Sequence, residues 1–436
     1  MAARGVLLLM LMMCLLVACG GDGVTQADDP TATVRPMSSP TPLVSSQATI
    51  VPANTETAES ITLTIWWPDE FYPVEIDVLE DQLQVFAASQ EEDLNIELRR
   101  KPMHDTGGIL STLQSATVAA PGALPDLTLL RYSDFVSALQ LDLLSPMDGV
   151  IRIGLADGIY SSAIALSERD GEVYGLPYAI DLSVLAHDEG LGLDAAAISL
   201  DDMLEIDRQW AFPVGRLSGV STSIYLQYLM AGGSLVDENG VFTVNPDALA
   251  TVYNFYEAAL ATETLDADVT NYTALSDYSL ALITGDLSAG VMTFSEYLSI
   301  RSDADELRIG MIPTQSDEAI TVLDSWMWVM PSDDPGNQEF VAAFLEWMMA
   351  PTRQSALTSA TRTLPSQRNV LNGLETADFD VELVDRLVSN ALLPLVDVGN
   401  ITALRTIQNG VIAIINGELS AEQATENVMR QLSSSN

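Results

Sequence analysis

The sequence predicts an α/β protein built as two α/β lobes, and three observations carry that prediction. At 436 residues the chain exceeds one ordinary core, so two domains or one large two-lobed unit fit its length. Strand-like and helix-like segments alternate between residues 61 and 130, which is the pattern of a doubly wound lobe. Further on, two β-prone stretches are interrupted or closed by a proline, as where a chain leaves one sheet and enters another. Hydrophobic residues make up 48%, so the chain folds despite a net charge of −43.

Taken in order, Arg4 precedes an apolar run from Val6 to Ala18, the charged and apolar regions of a secretory signal and too short for a comfortable spanning helix. Both cysteines, Cys14 and Cys19, fall there, which leaves the rest without disulfide or thiol chemistry. From Gly20 to about Ser60 the chain is rich in Thr, Ser, Pro and Ala without apolar periodicity, a tether. Ile61 to Trp67 alternates β-formers and stops at Pro68. An amphipathic stretch from Val74 to Ser89, a strand from Asn95 to Lys101, a helix from Gly108 to Ala119 and a strand from Asp126 to Leu130 follow. Ligands of such lobes meet the loops beyond the carboxyl ends of the strands, here Trp66 to Tyr72, Lys101 to Gly108 and Arg131 to Phe135.

Glu172 to Ala186 is a long β-prone segment with Pro177 in its middle, so a passage between sheets fits it better than one central strand. The next block is mostly helical. Asn245, Pro246 and Asp247 read as N-cap, first-position proline and first-turn acid of a helix. Short strands are expected at Ala289 to Thr293 and Arg308 to Ile312, and a second β-prone passage at Ile320 to Met330. Asp334-Pro335 reads as the start of a helix whose Phe340, Phe344, Trp347 and Met348 form a core-facing stripe, ended by Pro351. The tail from Ala403 to Leu432 is helical with a turn at Asn416-Gly417.

Composition excludes several functions. Asp and Glu number 61 against 18 Lys and Arg, and Lys101 is the single lysine, so nucleic acid and anionic headgroups would be repelled. His104 and His187 stand far apart without cysteine neighbours, so no metal or cofactor site is expected. Gly215-Arg-Leu-Ser-Gly219 lacks the spacing of a nucleophile elbow. A glycoside hydrolase, which needs two carboxyls at a set separation, remains an alternative because so many acids can always supply a pair.

Two resemblances sharpen the reading. Leu16-Val17-Ala18-Cys19-Gly20 resembles the bacterial lipobox, which implies diacylation of Cys19, a leader at 1–18, a tether at 19–60 and lipid anchoring at the outer face of the cell membrane. The strand ending Trp66-Trp67, Pro125-Asp126, Val173-Tyr-Gly-Leu-Pro-Tyr178, Gly290-Val-Met-Thr-Phe-Ser295, Gly310-Met-Ile-Pro313, the helix Phe340 to Met349 with Pro351-Thr352 after it, and Arg362-Thr-Leu-Pro365 follow one another over residues 61–436. In that order they resemble the extracellular solute-binding proteins of ABC importers, in particular the sugar-binding family that includes maltose-binding protein. The resemblance implies a two-lobed, type II-like periplasmic-binding-protein fold. Lobe one is expected at 61–180 and 325–364, lobe two at 182–322 and 366–436, with crossings at 178–183, 320–329 and 363–368.

It also implies a cleft that receives Trp66, Trp67, Asp69, Glu70, Arg131, Tyr132, Asp134, Tyr178, Asp181, Phe294, Ser295, Tyr297, Trp326 and Arg362. Flat rings stack on apolar sugar faces, while carboxylates and guanidinium groups take hydroxyls, so a neutral, ring-shaped polyol is the expected ligand. Maltose-binding relatives offer a stacking aromatic near the carboxyl terminus, whereas Asp397 to Gln408 contains none, which argues against a maltodextrin-like ligand and leaves a smaller sugar or a different polyol open. The implied protein is a monomer that captures a small carbohydrate without catalysis and hands it to the transmembrane subunits of an ABC transporter. A binding protein that feeds a membrane sensor is the other partner reading.

Overall fold

The structure is a computed structural model that describes residues 61–433 except 74–75, 105–106, 216–218, 237–242, 317, 375–377 and 397. The expected leader, the tether and Cys19 lie outside the described residues. The chain separates into two units, 1–57 and 58–436, and the fold below belongs to the second.

Alternating β-formers build β1 (Ile61–Pro68), which pairs in parallel with β2 (Leu94–Lys101) on one side and β3 (Leu127–Arg131) on the other. The connections are α1 (Ile76–Ser89), whose Leu79, Leu83 and Phe86 are buried at helical spacing, and α2 (Ile109–Ala119). Arg131 to Phe135, expected as a loop, is instead the start of α3 (Tyr132–Gln140). That helix forms because Tyr132, Phe135 and Ala138 give it one buried face. After α4 (Ser161–Ser167) and the short hairpin of β4 (Glu168–Arg169) and β5 (Glu172–Val173), the chain enters β6 (Gly175–Asp188).

β6 is one continuous strand of 14 residues. The remaining elements are α5 (Leu200–Glu205), β7 (Trp210–Ala211), α6 (Thr222–Met230), α7 (Pro246–Ala261), α8 (Ser279–Thr284), β8 (Ala289–Thr293), α9 (Phe294–Ile300), β9 (Leu307–Gly310), β10 (Leu323–Val329), α10 (Gln338–Met348), α11 (Pro351–Ala360), β11 (Leu364–Pro365), α12 (Arg368–Leu371), α13 (Val381–Ser389), α14 (Val398–Ile415) and α15 (Ala421–Ser433). Residues 175–182 of β6 pair with β10, and 179–180 also with β11. Residues 183–187 pair with β8 and 185–188 with β9. The strand therefore belongs to two sheet regions in succession, as its sequence predicts. Beside Pro177, which stands opposite Met327, the register with β10 slips by one residue at Tyr178, the kind of irregularity at which a proline is found within a sheet.

α7 begins as expected, with Asn245 Oδ1 accepting the N–H groups of Asp247 at 2.9 Å and Ala248 at 3.4 Å. α10 begins later than Asp334-Pro335, because Asp334 accepts the Gly336 N–H at 2.9 Å and closes a local turn first. Pro351 ends α10 and is also the first residue of α11, where the lack of an N–H is no loss.

The segment from 366 onward divides by its contacts. α12 and α13 attach to the first half: the Tyr160 hydroxyl donates to Asp385 at 2.6 Å, and Ser162 to the Val388 carbonyl at 2.7 Å. The chain then returns beside the second β-prone passage, with Leu392 N–H on the Thr321 carbonyl at 2.8 Å and Leu323 N–H on the Leu392 carbonyl at 3.0 Å. α14 and α15 pack on α7, where the buried Tyr253 donates to the Ile407 carbonyl at 2.9 Å. Among the described residues no helix is long and apolar enough to cross a membrane.

The α7–α14 seam gives a direct test. A Cβ at Gly410 would sit 2.6 Å from Cζ of Tyr253, a ring held by its own hydrogen bond and unable to swing away. Gly410→Ala is expected to lower unfolding free energy by about 1–3 kcal/mol in urea titration. Gly122→Ala, where a Cβ meets nothing within 4 Å, should change it by less than about 0.5 kcal/mol.

Candidate functional site

Where β6 changes partners, Asp181 stands directly across from Asp324 of β10. Like charges opposite one another on a strand pair repel, so each must be held by something else. Asp181 Oδ1 accepts the N–H groups of Leu182 at 2.9 Å and Ser295 at 3.0 Å, and its other oxygen accepts the Ser295 hydroxyl. Asp324 Oδ1 accepts the Ser325 N–H at 2.8 Å, while Oδ2 takes Nε of Arg131 at 3.0 Å and a second guanidinium nitrogen as well. Arg131 closes β3 in the first half and Ser295 opens α9 in the second, so the two acids tie the crossing strands to opposite halves.

Burial pushes the Asp181 carboxyl up to about 6, against the lowering effect of the Ser295 hydroxyl and N–H; Asp324 adds to the rise and Arg131 opposes it. Burial works against the charge of Arg131, but Asp324, helped by Asp181 and Asp134, outweighs it and holds the guanidinium above its ordinary range.

Around this pair lies a cavity of about 250 Å³ lined by Arg131, Tyr132, Ser133, Asp181, Leu182, Ser183, Thr222, Thr293, Val322, Asp324 and Pro394 to Val396. A second chamber of about 180 Å³ shares Ser183, Thr222 and Thr293 with it and continues to Ser221, Ser223, Thr273, Tyr278 and Glu296. Serine and threonine hydroxyls line both, beside apolar side chains such as Leu182, Val322 and Leu395 in the first and Val220, Leu275 and Val291 in the second. A groove of about 870 Å³ at Tyr160, Gln367 and Arg368 contains none of the residues expected from sequence.

Of the expected site residues, Arg131, Tyr132 and Asp181 line the cavity, and Ser295 meets it through Asp181. The aromatic wall does not form there. Trp67 is wholly buried, donating Nε1–H to the Phe71 carbonyl at 3.0 Å and lying edge-on to Trp328. Trp66 is buried beneath the Lys101 ammonium, 4.3 Å from its ring. Trp326 packs on Phe71 with ring centres 4.9 Å apart. Tyr178 is wholly buried against Trp328, Phe294 against Phe379, and the buried Tyr297 donates to the Leu307 carbonyl at 3.3 Å. Neighbouring residues of a strand face opposite sides, and both sides of this sheet are covered, so both tryptophans of β1 enter the core.

Polar expectations divide in the same way. Asp69 pairs with Arg100 at 2.8 Å, and both oxygens of Glu70 accept the Met103 N–H at 3.0 Å, so these acids brace the end of β2. Asp134 is buried with Oδ2 unpartnered, and burial raises its pKa despite His104, whose Nδ1 lies 3.9 Å away. Arg362 is exposed at the end of α11 with φ 56°, a position that terminates the helix, and lies outside the cavity lining. The residues missed from sequence are chiefly Asp324, Ser133, Ser183, Thr222, Thr293 and Pro394 to Val396. Asp324 carried a signal, as the acid of the second expected crossing; the hydroxyls carried none, because Ser and Thr are ordinary everywhere. Among the described residues no group of three His, Cys, Asp or Glu could hold a metal.

Two halves joined by antiparallel crossing strands, with a cavity at the junction, are the architecture of a binding protein. Residues 84–380 match the model of the bacterial extracellular solute-binding proteins, and the chain belongs to that family. The family binds solutes and does not transform them, which sets the hydrolase alternative aside. No curated protein matches the chain. Among solved structures it is similar to the cyclic α-maltosyl-1,6-maltose binding protein of Arthrobacter globiformis (TM-score 0.68, 15% identity, 86% of this chain and 98% of that one). It is also similar to an ABC transporter solute-binding protein of Thermotoga lettingae bound to α-D-tagatose (0.62, 18%, 86% and 99%) and to the GacH receptor of Streptomyces glaucescens, solved with acarbose (0.60, 17%, 86% and 98%). At these identities the likeness concerns the two-lobed fold.

The buried acid sets a pH dependence. A carboxyl raised in the folded state from an unfolded value of about 4 to about 6 favours folding while protonated, so its contribution is full below about pH 4 and lost as pH rises through 6. Asp181→Asn is expected to raise ligand-free stability at pH 7 by about 2–3 kcal/mol and to remove that fall between pH 4 and 6, measured by denaturant titration at several pH values.

Proposed function

We propose that this is an extracytoplasmic lipoprotein that captures a small carbohydrate by closing its two lobes and delivers it to the transmembrane subunits of an ABC transporter. The observation that carries the reading is the cavity at the crossing strands, where Arg131, Asp181 and Asp324 stand among the hydroxyls of Ser133, Ser183, Thr222 and Thr293. Such a lining offers donors and acceptors for a polyol's hydroxyls, while Leu182, Val322 and Pro394 to Val396, with the ring of Tyr132, offer apolar surface for its carbon faces. The solved neighbours, one named for binding cyclic α-maltosyl-1,6-maltose and one bound to α-D-tagatose, support the carbohydrate class. We assign lobe one to 61–180 and 324–389 and lobe two to 183–322 and 398–433, with the third passage at 390–396 in place of 363–368, because Asp385 and Val388 of α13 are bonded to Tyr160 and Ser162, and the Arg368 N–H of α12 to the Gly158 carbonyl. The lipobox supports acylation at Cys19.

The test is a thermal-shift screen of monosaccharides and disaccharides followed by calorimetry and small-angle scattering. A sugar should bind, reduce the radius of gyration and be recovered chemically unchanged. Arg131→Met, which removes charge-assisted hydrogen bonds, should weaken that sugar about tenfold to a hundredfold. Preference for a peptide, an amino acid or a metal chelate would overturn the carbohydrate assignment. For the anchor, the wild type should incorporate labelled fatty acid and Cys19→Ser should not; lack of label in the wild type would remove the lipoprotein assignment.

A further inference from the structure

The second chamber ends on the amino terminus of α6, and that helix is left open there. Its N-cap residue, Ser221, makes no side-chain cap, so the first-turn N–H groups are not closed by it. The Ser221 hydroxyl, 6% exposed as a residue, and the Ser223 hydroxyl, 1% exposed, line the chamber and are buried without any partner. Buried polar groups are seldom left so, and here the missing partner is on the chamber side. The loop is held rigidly in this state: Ser221 N–H donates to Gln408 Oε1 at 2.9 Å, and the Gln408 amide donates to the Val214 carbonyl at 2.9 Å and the Gly219 carbonyl at 3.2 Å.

An open helix terminus flanked by free hydroxyls is a receptor for electron-rich oxygen, and by itself it would favour an anion. Among the described residues the charged side chain in the same chamber is Glu296, whose Oε2 accepts the Thr293 N–H at 2.8 Å in the capping box of α9. We propose that Ser221 and Ser223 at the α6 terminus bind a ligand oxygen, and that Glu296 makes this subsite accept hydroxyls and reject carboxylates or sulfates. A hydroxyl can accept from the helix terminus and donate to the carboxylate at once, whereas an acidic group would meet Glu296 as a like charge. The selectivity rests on the carbohydrate reading; the subsite itself does not.

The experiment compares wild type, Glu296→Gln and Glu296→Gln combined with Ser221→Ala and Ser223→Ala, with glucose, glucuronate and inorganic sulfate as calorimetric probes at matched ionic strength. Glutamine at this position can keep the capping box, so α9 should remain intact. Glu296→Gln is expected to bind glucuronate and sulfate at least about tenfold more tightly than wild type, and the added serine substitutions should abolish the gain. Ser223→Ala alone should weaken the best neutral sugar about fivefold to tenfold while leaving ligand-free melting unchanged or higher, because it removes an unpartnered buried hydroxyl. A Glu296→Gln protein with no gain for either anion, or a gain that survives loss of both serines, overturns the proposal. Should no neutral sugar bind while the serine-dependent sulfate gain appears, the carbohydrate reading fails and the subsite stands.

Discussion

Asp181 and Asp324 face each other across the crossing strands β6 and β10, and the architecture depends on how that repulsion is relieved. Neither acid is neutralised within its own strand. Asp324 is drawn to Arg131 at the end of β3, and Asp181 is drawn to the first residues of α9. Each half of the molecule thus supplies the partner for one member of the pair. The junction is therefore polar and specific in geometry, and a change in the angle between the halves must alter the surroundings of both carboxylates together.

Continuity of β6 makes this arrangement possible. A strand that exchanges β10 and β11 for β8 and β9 along its length joins the two sheet regions without a loop, so the junction is continuous, ladder-paired extended backbone. The return of the chain at Leu392 beside Thr321 and Leu323 adds another segment to the same place. That return also brings Pro394 to Val396 to the cavity, far in sequence from the other residues that line it.

The large aromatic residues serve the lobes and not the cavity. Trp67, Trp328, Phe71, Phe344 and Trp326 form a connected set of ring contacts inside lobe one, and Trp210, Phe212, Phe255 and Tyr256 do the same inside lobe two. Each such pair adds about 0.5–1.5 kcal/mol beyond the area it buries. What lines the cavity is hydroxyls, a few charges and small apolar side chains such as Leu182, Val322 and Leu395. The hydroxyls of Ser221 and Ser223 in the adjoining chamber are buried without a partner.

The strands and most long helices were legible because they are local. Period-two alternation located β1, the Asn245-Pro246 cap located α7, and the proline within a long β-prone run located the crossing strand. Family-specific phrases such as Val173 to Tyr178 marked the class of protein by their order along the chain. Short helices such as α3 and α13 were not legible, since a few turns hold together only by the face they bury. The family resemblance placed Trp66, Trp67, Tyr178 and Tyr297 at a binding surface, and residue type could not correct it, because an aromatic that stacks on a sugar and one that fills a core are the same side chain. Only the tertiary structure separated them. Burial and the pairing of β6 with β10 are set by residues more than a hundred positions apart, and no local pattern in the chain records which side of a sheet another segment will cover.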